Sequence, residues 1–245
     1  MNLNYLYYDW TMLLLIPGMI FALIAQGAVR SAYNKYAKVR SSKGYTGAQV
    51  ADIILREGLA EHVSVSVPGG FATAGSPAFG GGGDALSNHY DPRRKAIVLS
   101  NEVHNSTSLS AIGIAAHEAG HALQDAKGYL PIRVHRALMP VTRFASMAAF
   151  PIILLGMFLQ SDIAIRVGVL AYGVVALYYL VTLPVEFNAS RRALRLLSEH
   201  DLVVGEERKG VKKVLTAAAM TYVAAALGAL LQVMRLMLLT GRRRR

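Results

Sequence analysis

Three stretches of this 245-residue chain are too long, too apolar and too poor in charge to be the half-wet helices of a soluble domain. The first, WTMLLLIPGMIFALIAQGAV from Trp10 to Val29, carries no ionisable side chain, and about 20 apolar residues suffice to cross a bilayer. A cleavable signal peptide fits it poorly, because Asp9 stands where a basic n-region belongs. The second and third stretches run from about Phe144 to Leu159 and from Ala164 to Leu183. Only QSD at 160–162 separates them, which leaves room for a tight hairpin turn. A fourth run, Val214 to Leu239, contains Arg235 and leads into the Arg242–Arg245 tail. As a full span it would export that tail against the positive-inside tendency, so spanning and interfacial placements both stay open.

Composition agrees with a membrane protein that has a modest water-facing part. Hydrophobic residues make up 53% and charged residues 17%, where a soluble domain carries about 25% charged. The net charge of +11 sits largely beside the apolar spans. Arg30, Lys35, Lys38, Arg40 and Lys43 follow the first span with no acid among them. This places the N-terminus outside and the next section in the cytoplasm, and by parity PVEFNASRRALRLLSEHDLV lies there too. The localisation expected is the plasma membrane, multi-pass, with the lipid bilayer as partner of the basic flanks and tail. No nucleic-acid motif accompanies the charge, so no nucleic-acid partner is expected. There is no cysteine, which excludes disulfides and thiolate metal sites. Nothing identifies an oligomer or a partner protein.

Between the first and second spans the pattern changes. TGAQVADIILREGLA at 46–60 has helical spacing, with Thr46 as N-cap. VSVSV at 63–67 and KAIVLS at 95–100 read as short strands. GGFATAGSPAFGGGGD reads as a loop, and no Walker lysine closes it, so phosphate binding has little support. A helix over about Ser108–Lys127, ended by Gly128, carries AAHEAGHALQ. His117 and His121, four apart, share one face. HExxH on a helix is a two-histidine zinc platform, with the intervening Glu118 as general base. A pair of surface histidines with a solvated glutamate fits poorly, because the flanks SAIGIAA and ALQ are apolar and burying lone polar groups is costly.

Zinc of the catalytic kind needs a third protein ligand. Without cysteine that ligand is His, Asp or Glu. No histidine follows His121 closely enough for a metzincin. Glu186 is the favoured choice: it stands where the third span ends, and a hairpin between it and His121 brings the two helices side by side. The oxyanion-stabilising donor stays open among His89, Tyr90, His104, Arg191 and Tyr222, each of which has an ordinary packing or turn role to set against it. His62, His135 and His200 are scattered and read as solvated or packed.

HEAGHALQ, the hydrophobic hairpin and EFNAS together resemble the YugP-like neutral zinc metallopeptidases, a membrane family similar to the HtpX-type and CaaX prenyl endoproteases. HYDPRRKAIVLSNEVHNSTSLSAIGIAAHEAGHALQ and TYVAAAL carry the same likeness, which runs from about Tyr45 to Leu231. The resemblance implies a gluzincin: Zn2+ on His117, His121 and Glu186, Glu118 as base, and peptide or membrane-protein substrates. The fold implied is mainly α, with transmembrane helices and a small cytoplasmic α+β zincin-like domain. Its parts would be an N-terminal span (1–29), a catalytic section (30–143), a hairpin (144–184), a third-ligand helix (185–213) and an apolar helix with basic tail (214–245). The HtpX-type pattern has Asp four residues after the third ligand, where Ser190 stands here; either Ser190 takes a similar orienting role more weakly or another group orients the histidines. By analogy with related zinc peptidases, KAIVLS is either an edge strand pairing with substrate through Ile97, Val98 and Leu99 or an internal strand with no such role. A catalytically silent zinc scaffold is the competing function.

Overall fold

The computed structural model describes residues 10–58, 60–67 and 88–242, with backbone only at 241 and 242. The glycine-rich stretch at 69–84 and Arg243–Arg245 lie outside the described residues. A 3-10 turn (Trp10–Leu15) leads into α1 (Ile16–Ala37). Then follow α2 (Gly47–Glu57), β1 (Ser64–Ser66), β2 (His89–Asp91), β3 (Ala96–Val98), α3 (Asn101–Asn105), α4 (Leu109–Ala126), α5 (Leu130–Phe158), α6 (Asp162–Glu199) and α7 (Glu206–Arg242). The described residues are mostly helical, with one small three-stranded sheet. Among the described residues four helices are long and apolar enough to cross a membrane: Trp10–Ala37, Leu130–Phe158, Asp162–Glu199 and Glu206–Thr240.

The chain divides into two compact units. One comprises residues up to 24, 134–183 and from 222 onward. It contains the α5–α6 hairpin, whose turn uses Gln160 in the left-handed region at φ 54°. Gly168 lets the two helices touch, since a Cβ there would lie 3.0 Å from the Ala149 carbonyl oxygen and 2.4 Å from Ile153 Cγ1. Outward faces are apolar: Phe144, Phe158, Ile163 and Leu170 are all more than two-thirds exposed. In water that surface would be an aggregation hazard, whereas lipid tails solvate it.

The other unit comprises residues 25–133 and 184–221 and has its own hydrophobic core. In α2 the buried residues Val50, Ala51, Ile54 and Leu55 recur at helical spacing and face α4. Thr46 caps that helix as expected: its hydroxyl accepts from the Gln49 N–H, and the Gln49 side chain accepts from the Thr46 N–H. Ser108 caps α4 by accepting from the Ala111 N–H, and Gly128 follows its end at φ 62°. Ile112, Ala115, Ala116, Ala119 and Leu123 bury the opposite face of α4 in the core.

The sheet order is β1-β3-β2, with β1 parallel and β2 antiparallel to β3. This corrects the edge-strand expectation for KAIVLS. β3 is the central strand, so both of its hydrogen-bonding sides are taken, and Ile97 and Leu99 are fully buried. Ile97, Val98 and Leu99 therefore build the sheet interior and are not the rung for a substrate backbone. His89 and Tyr90 are strand residues, Tyr90 opposite Ile97; their short run before Pro92 had suggested a turn.

Candidate metal centre

Helix α4 presents His117 and His121 on its polar face, and α6 brings Glu186 to meet them. α6 runs unbroken through Pro184, so Glu186 rides on the same helix as the apolar stretch before it. The His117 and His121 Nε2 atoms lie 3.1 Å apart. Glu186 Oε2 is 3.2 Å from His117 Nε2, and its Oε1 is 3.6 Å from His121 Nε2. All three side chains are at least 84% covered, with exposures of 16%, 15% and 9% for His117, His121 and Glu186.

Two helices can come this close because Gly120 has no side chain. A Cβ at that position would stand 2.6 Å from the Ala189 carbonyl oxygen and 3.2 Å from its Cα. Gly120 lies one residue before His121, and Ala189 three after Glu186, so the contact sets the distance across which the ligands meet.

A hydrogen-bond network dictates which nitrogen of His121 is bare. Gln124 is fully buried, and its Nε2 donates to the Val185 carbonyl at 2.7 Å and to Asn188 Oδ1 at 3.1 Å. A carbonyl only accepts, so the amide orientation is decided and Gln124 Oε1 faces His121 Nδ1 at 3.1 Å as an acceptor. His121 must then carry its proton on Nδ1, leaving a lone pair on Nε2. Arg192 Nε donates to Asn188 Oδ1 at 2.7 Å and holds that amide in turn. Ser190, one turn after Glu186, places Oγ 3.1 Å from His117 Nδ1, the contact anticipated for it.

The result is a cluster in which the Nε2 atoms of both histidines and the Glu186 carboxylate oxygens face one another. Their mutual distances of 3.1–3.6 Å are those of ligands around a tetrahedral cation: with bonds of about 2.0–2.1 Å, the ligand atoms stand about 3.3–3.5 Å apart. The residues fit zinc, and His117, His121 and Glu186 are a group that could hold it.

Glu118 points from the same helix, and its carboxylate accepts the main-chain N–H of Tyr90 on β2. Burial pushes the Glu118 carboxyl up to about 7. The His117 charge opposes this, Glu186 adds to it, and the Tyr90 N–H pulls the other way. At His117 burial alone would lower the imidazole, but the hydrogen bond and charge of Glu186, with a contribution from Glu118, raise it above the ordinary histidine value.

The remaining sequence candidates are dispersed. His89 is exposed on β2 and His104 pairs with Asn105 on α3. Arg191 is exposed on α6, and Tyr222 belongs to the other unit. Gln124, Asn188 and Arg192 are functional candidates that sequence reasoning missed. The signal was present: a glutamine three residues past His121, and an asparagine four before Arg192 on the third-ligand helix.

The sequence profile of the family described as "Putative neutral zinc metallopeptidase" matches residues 11–241. A relative, "Putative membrane protease YugP" of Bacillus subtilis (strain 168), is 38% identical over 226 residues, which cover 92% of this chain and 94% of the relative. No solved structure matches the chain. With two histidines and a glutamate meeting as zinc ligands do, and four membrane-length helices among the described residues, this protein belongs to the neutral zinc metallopeptidase family.

Proposed function

We propose that this protein is a multi-pass plasma-membrane zinc endopeptidase of the gluzincin type, cutting peptides or membrane-protein segments at a site on the cytoplasmic side. The observation that carries the reading is the meeting of an HExxH helix with Glu186 from α6 at ligand distances, with Glu118 beside them. His117, His121 and Glu186 would hold Zn2+, which supplies a Lewis acid and a water acidified towards neutrality. In this reading the catalytic section is residues 30–143 together with 185–213, as a small α+β zincin-like part. Residues 1–29, 144–184 and 214–245 would anchor it in lipid.

Glu118 then does the proton work. In the metal-free site burial pushes its carboxyl up to about 7, whereas the charge of bound Zn2+ would favour the ionised form, in which it can accept a proton. It takes the proton from the attacking water and delivers it to the leaving amine as the C–N bond breaks. Gln124 and Ser190 hold the two imidazoles so that Nε2 of each faces inward, and Asn188 and Arg192 hold Gln124. Burial keeps bulk water from competing for these bonds.

The test is zinc stoichiometry in detergent-purified protein, followed by cleavage of labelled casein. About one zinc per chain is expected in the wild type, none or weakly held zinc in Glu186→Ala, and full zinc without cleavage in Glu118→Gln. Equal zinc in Glu186→Ala would remove Glu186 from the ligand set. Zinc retention with no cleavage by the wild type, and no difference for Glu118→Gln, would favour the silent scaffold. Orientation follows from single cysteines introduced into a chain that has none of its own. A cysteine beside His121 that is labelled only from outside would refute the cytoplasmic placement.

A further inference from the structure

Asp125 stands one helical turn past His121, on the face of α4 that carries both histidines, yet the candidate metal group is His117, His121 and Glu186. Its carboxylate serves the β2–β3 hairpin instead. Asp125 Oδ2 accepts from the Tyr90 hydroxyl at 2.7 Å and from Lys95 Nζ at 2.6 Å. The Asp125 side chain is 12% exposed and that of Lys95 44%. Tyr90 is thus gripped at two points: its hydroxyl by Asp125, and its main-chain N–H by the Glu118 carboxylate.

Lys95 makes this contact from an unfavourable backbone. Its φ is 51°, in the left-handed region that glycine enters freely and other residues rarely do. The turn does not need a lysine there for its own sake. Asp91 Oδ1 already closes it by accepting the Arg93 and Arg94 N–H groups at 2.8 and 3.3 Å. What a lysine adds over a glycine is the ammonium that reaches Asp125, neutralising a mostly covered carboxylate on the helix that bears Glu118.

We propose that Asp125 and Lys95 are positioning residues for the general base. Lys95 orients Asp125, Asp125 anchors the Tyr90 ring, and the anchored strand presents the Tyr90 N–H that holds Glu118 in one orientation. A carboxylate without such a bond rotates among several orientations, and proton transfer requires the productive one within a few tenths of an ångström. The inference rests on the peptidase reading, in which Glu118 is the base.

The test uses full-length protein in detergent with fluorescein-labelled casein as the probe. Lys95→Gly and Tyr90→Phe are expected to lower kcat about 10- to 100-fold with KM and zinc content unchanged. Lys95→Gly should keep the wild-type Tm, because relief of the left-handed backbone offsets the lost ion pair. Lys95→Arg, which restores the ammonium's charge, should recover most of the rate. A merely structural role predicts that activity falls only in step with Tm or zinc content, and that result overturns the proposal. Wild-type kcat in both Lys95→Gly and Tyr90→Phe, with Glu118→Gln silent, overturns it while leaving the peptidase reading intact. A wild-type chain that cleaves no casein and matches Glu118→Gln takes both down together.

Discussion

Replacing Gly120 by alanine adds one methyl group where the two ligand-bearing helices touch. That methyl would stand 2.6 Å from the Ala189 carbonyl oxygen, 3.1 Å from its carbon and 3.2 Å from its Cα. A carbon rests against a carbonyl oxygen at about 3.3–3.6 Å, so α4 and α6 must part locally by about 0.7–1 Å. The obstacle is backbone within a helix and cannot rotate away. Ligand distances in a zinc site tolerate about 0.2 Å, several times less than the shift. Zinc affinity should therefore fall at least 10- to 100-fold, the range seen when groups that merely orient the ligands are lost. Folding stability should change less: overpacking costs about 1–3 kcal/mol, partly offset by the roughly 1 kcal/mol that alanine gains over glycine in a helix. The assay is competition for zinc with a chelator of known affinity, alongside thermal unfolding of metal-free protein. Gly113→Ala on the same helix is the control, because its methyl would meet only the Val211 Cγ1 atom at 3.2 Å, and it should bind zinc within about 3-fold of wild type on the scale of such adjustments. Gly120→Ala binding zinc as tightly as wild type would refute the claim that this contact sets the ligand geometry.

Three further outcomes follow from the same network of contacts. Gln124→Leu keeps the volume but removes the acceptor that holds His121 Nδ1–H, so zinc affinity should fall about 10- to 100-fold; unchanged chelator competition would rule Gln124 out as an orienting residue. In metal-free protein, Glu118 has a folded value of about 7 against 4.5 in the unfolded chain. The native state thus binds the proton more tightly, and ionisation costs stability increasingly between those pH values. Glu118→Gln should raise Tm by an amount that is small below about pH 4.5 and grows until about pH 7, and a difference independent of pH would contradict this. Glu207 moves in the opposite sense: burial would raise it, but the N–H groups of Ser42 and Val204 and the nearby serine hydroxyls hold it below its ordinary 4.5. Its contribution is present above pH 4.5 and is lost as pH falls through the lowered folded value, so the Tm gap between wild type and Glu207→Gln should close in acid.

What could be read from the chain alone was whatever depends on neighbours in sequence. Membrane-length helices follow from unbroken apolar composition, the Thr46 cap from a side chain next to the N–H group it satisfies, and the shared face of His117 and His121 from a spacing of four. The pairing of Glu186 with that face was inferred from the hairpin between them, and the structure brings the three side chains together. Interactions between segments distant in sequence were another matter. KAIVLS alternates as an edge or a central strand would, and only the flanking β1 and β2 decide that it is central. Gln124 looked like part of an apolar flank, because nothing local reveals that Val185 and Asn188 of another helix will meet its amide. Nothing next to Asp125 in the sequence reveals that Tyr90 and Lys95 of the hairpin will meet its carboxylate. Gly120 is one glycine among 22 until Ala189 lies against it. Local propensity and periodicity specify which face of an element is polar, but a hydrogen bond or a helix crossing is decided by which other face arrives there, and that is a property of the packed chain.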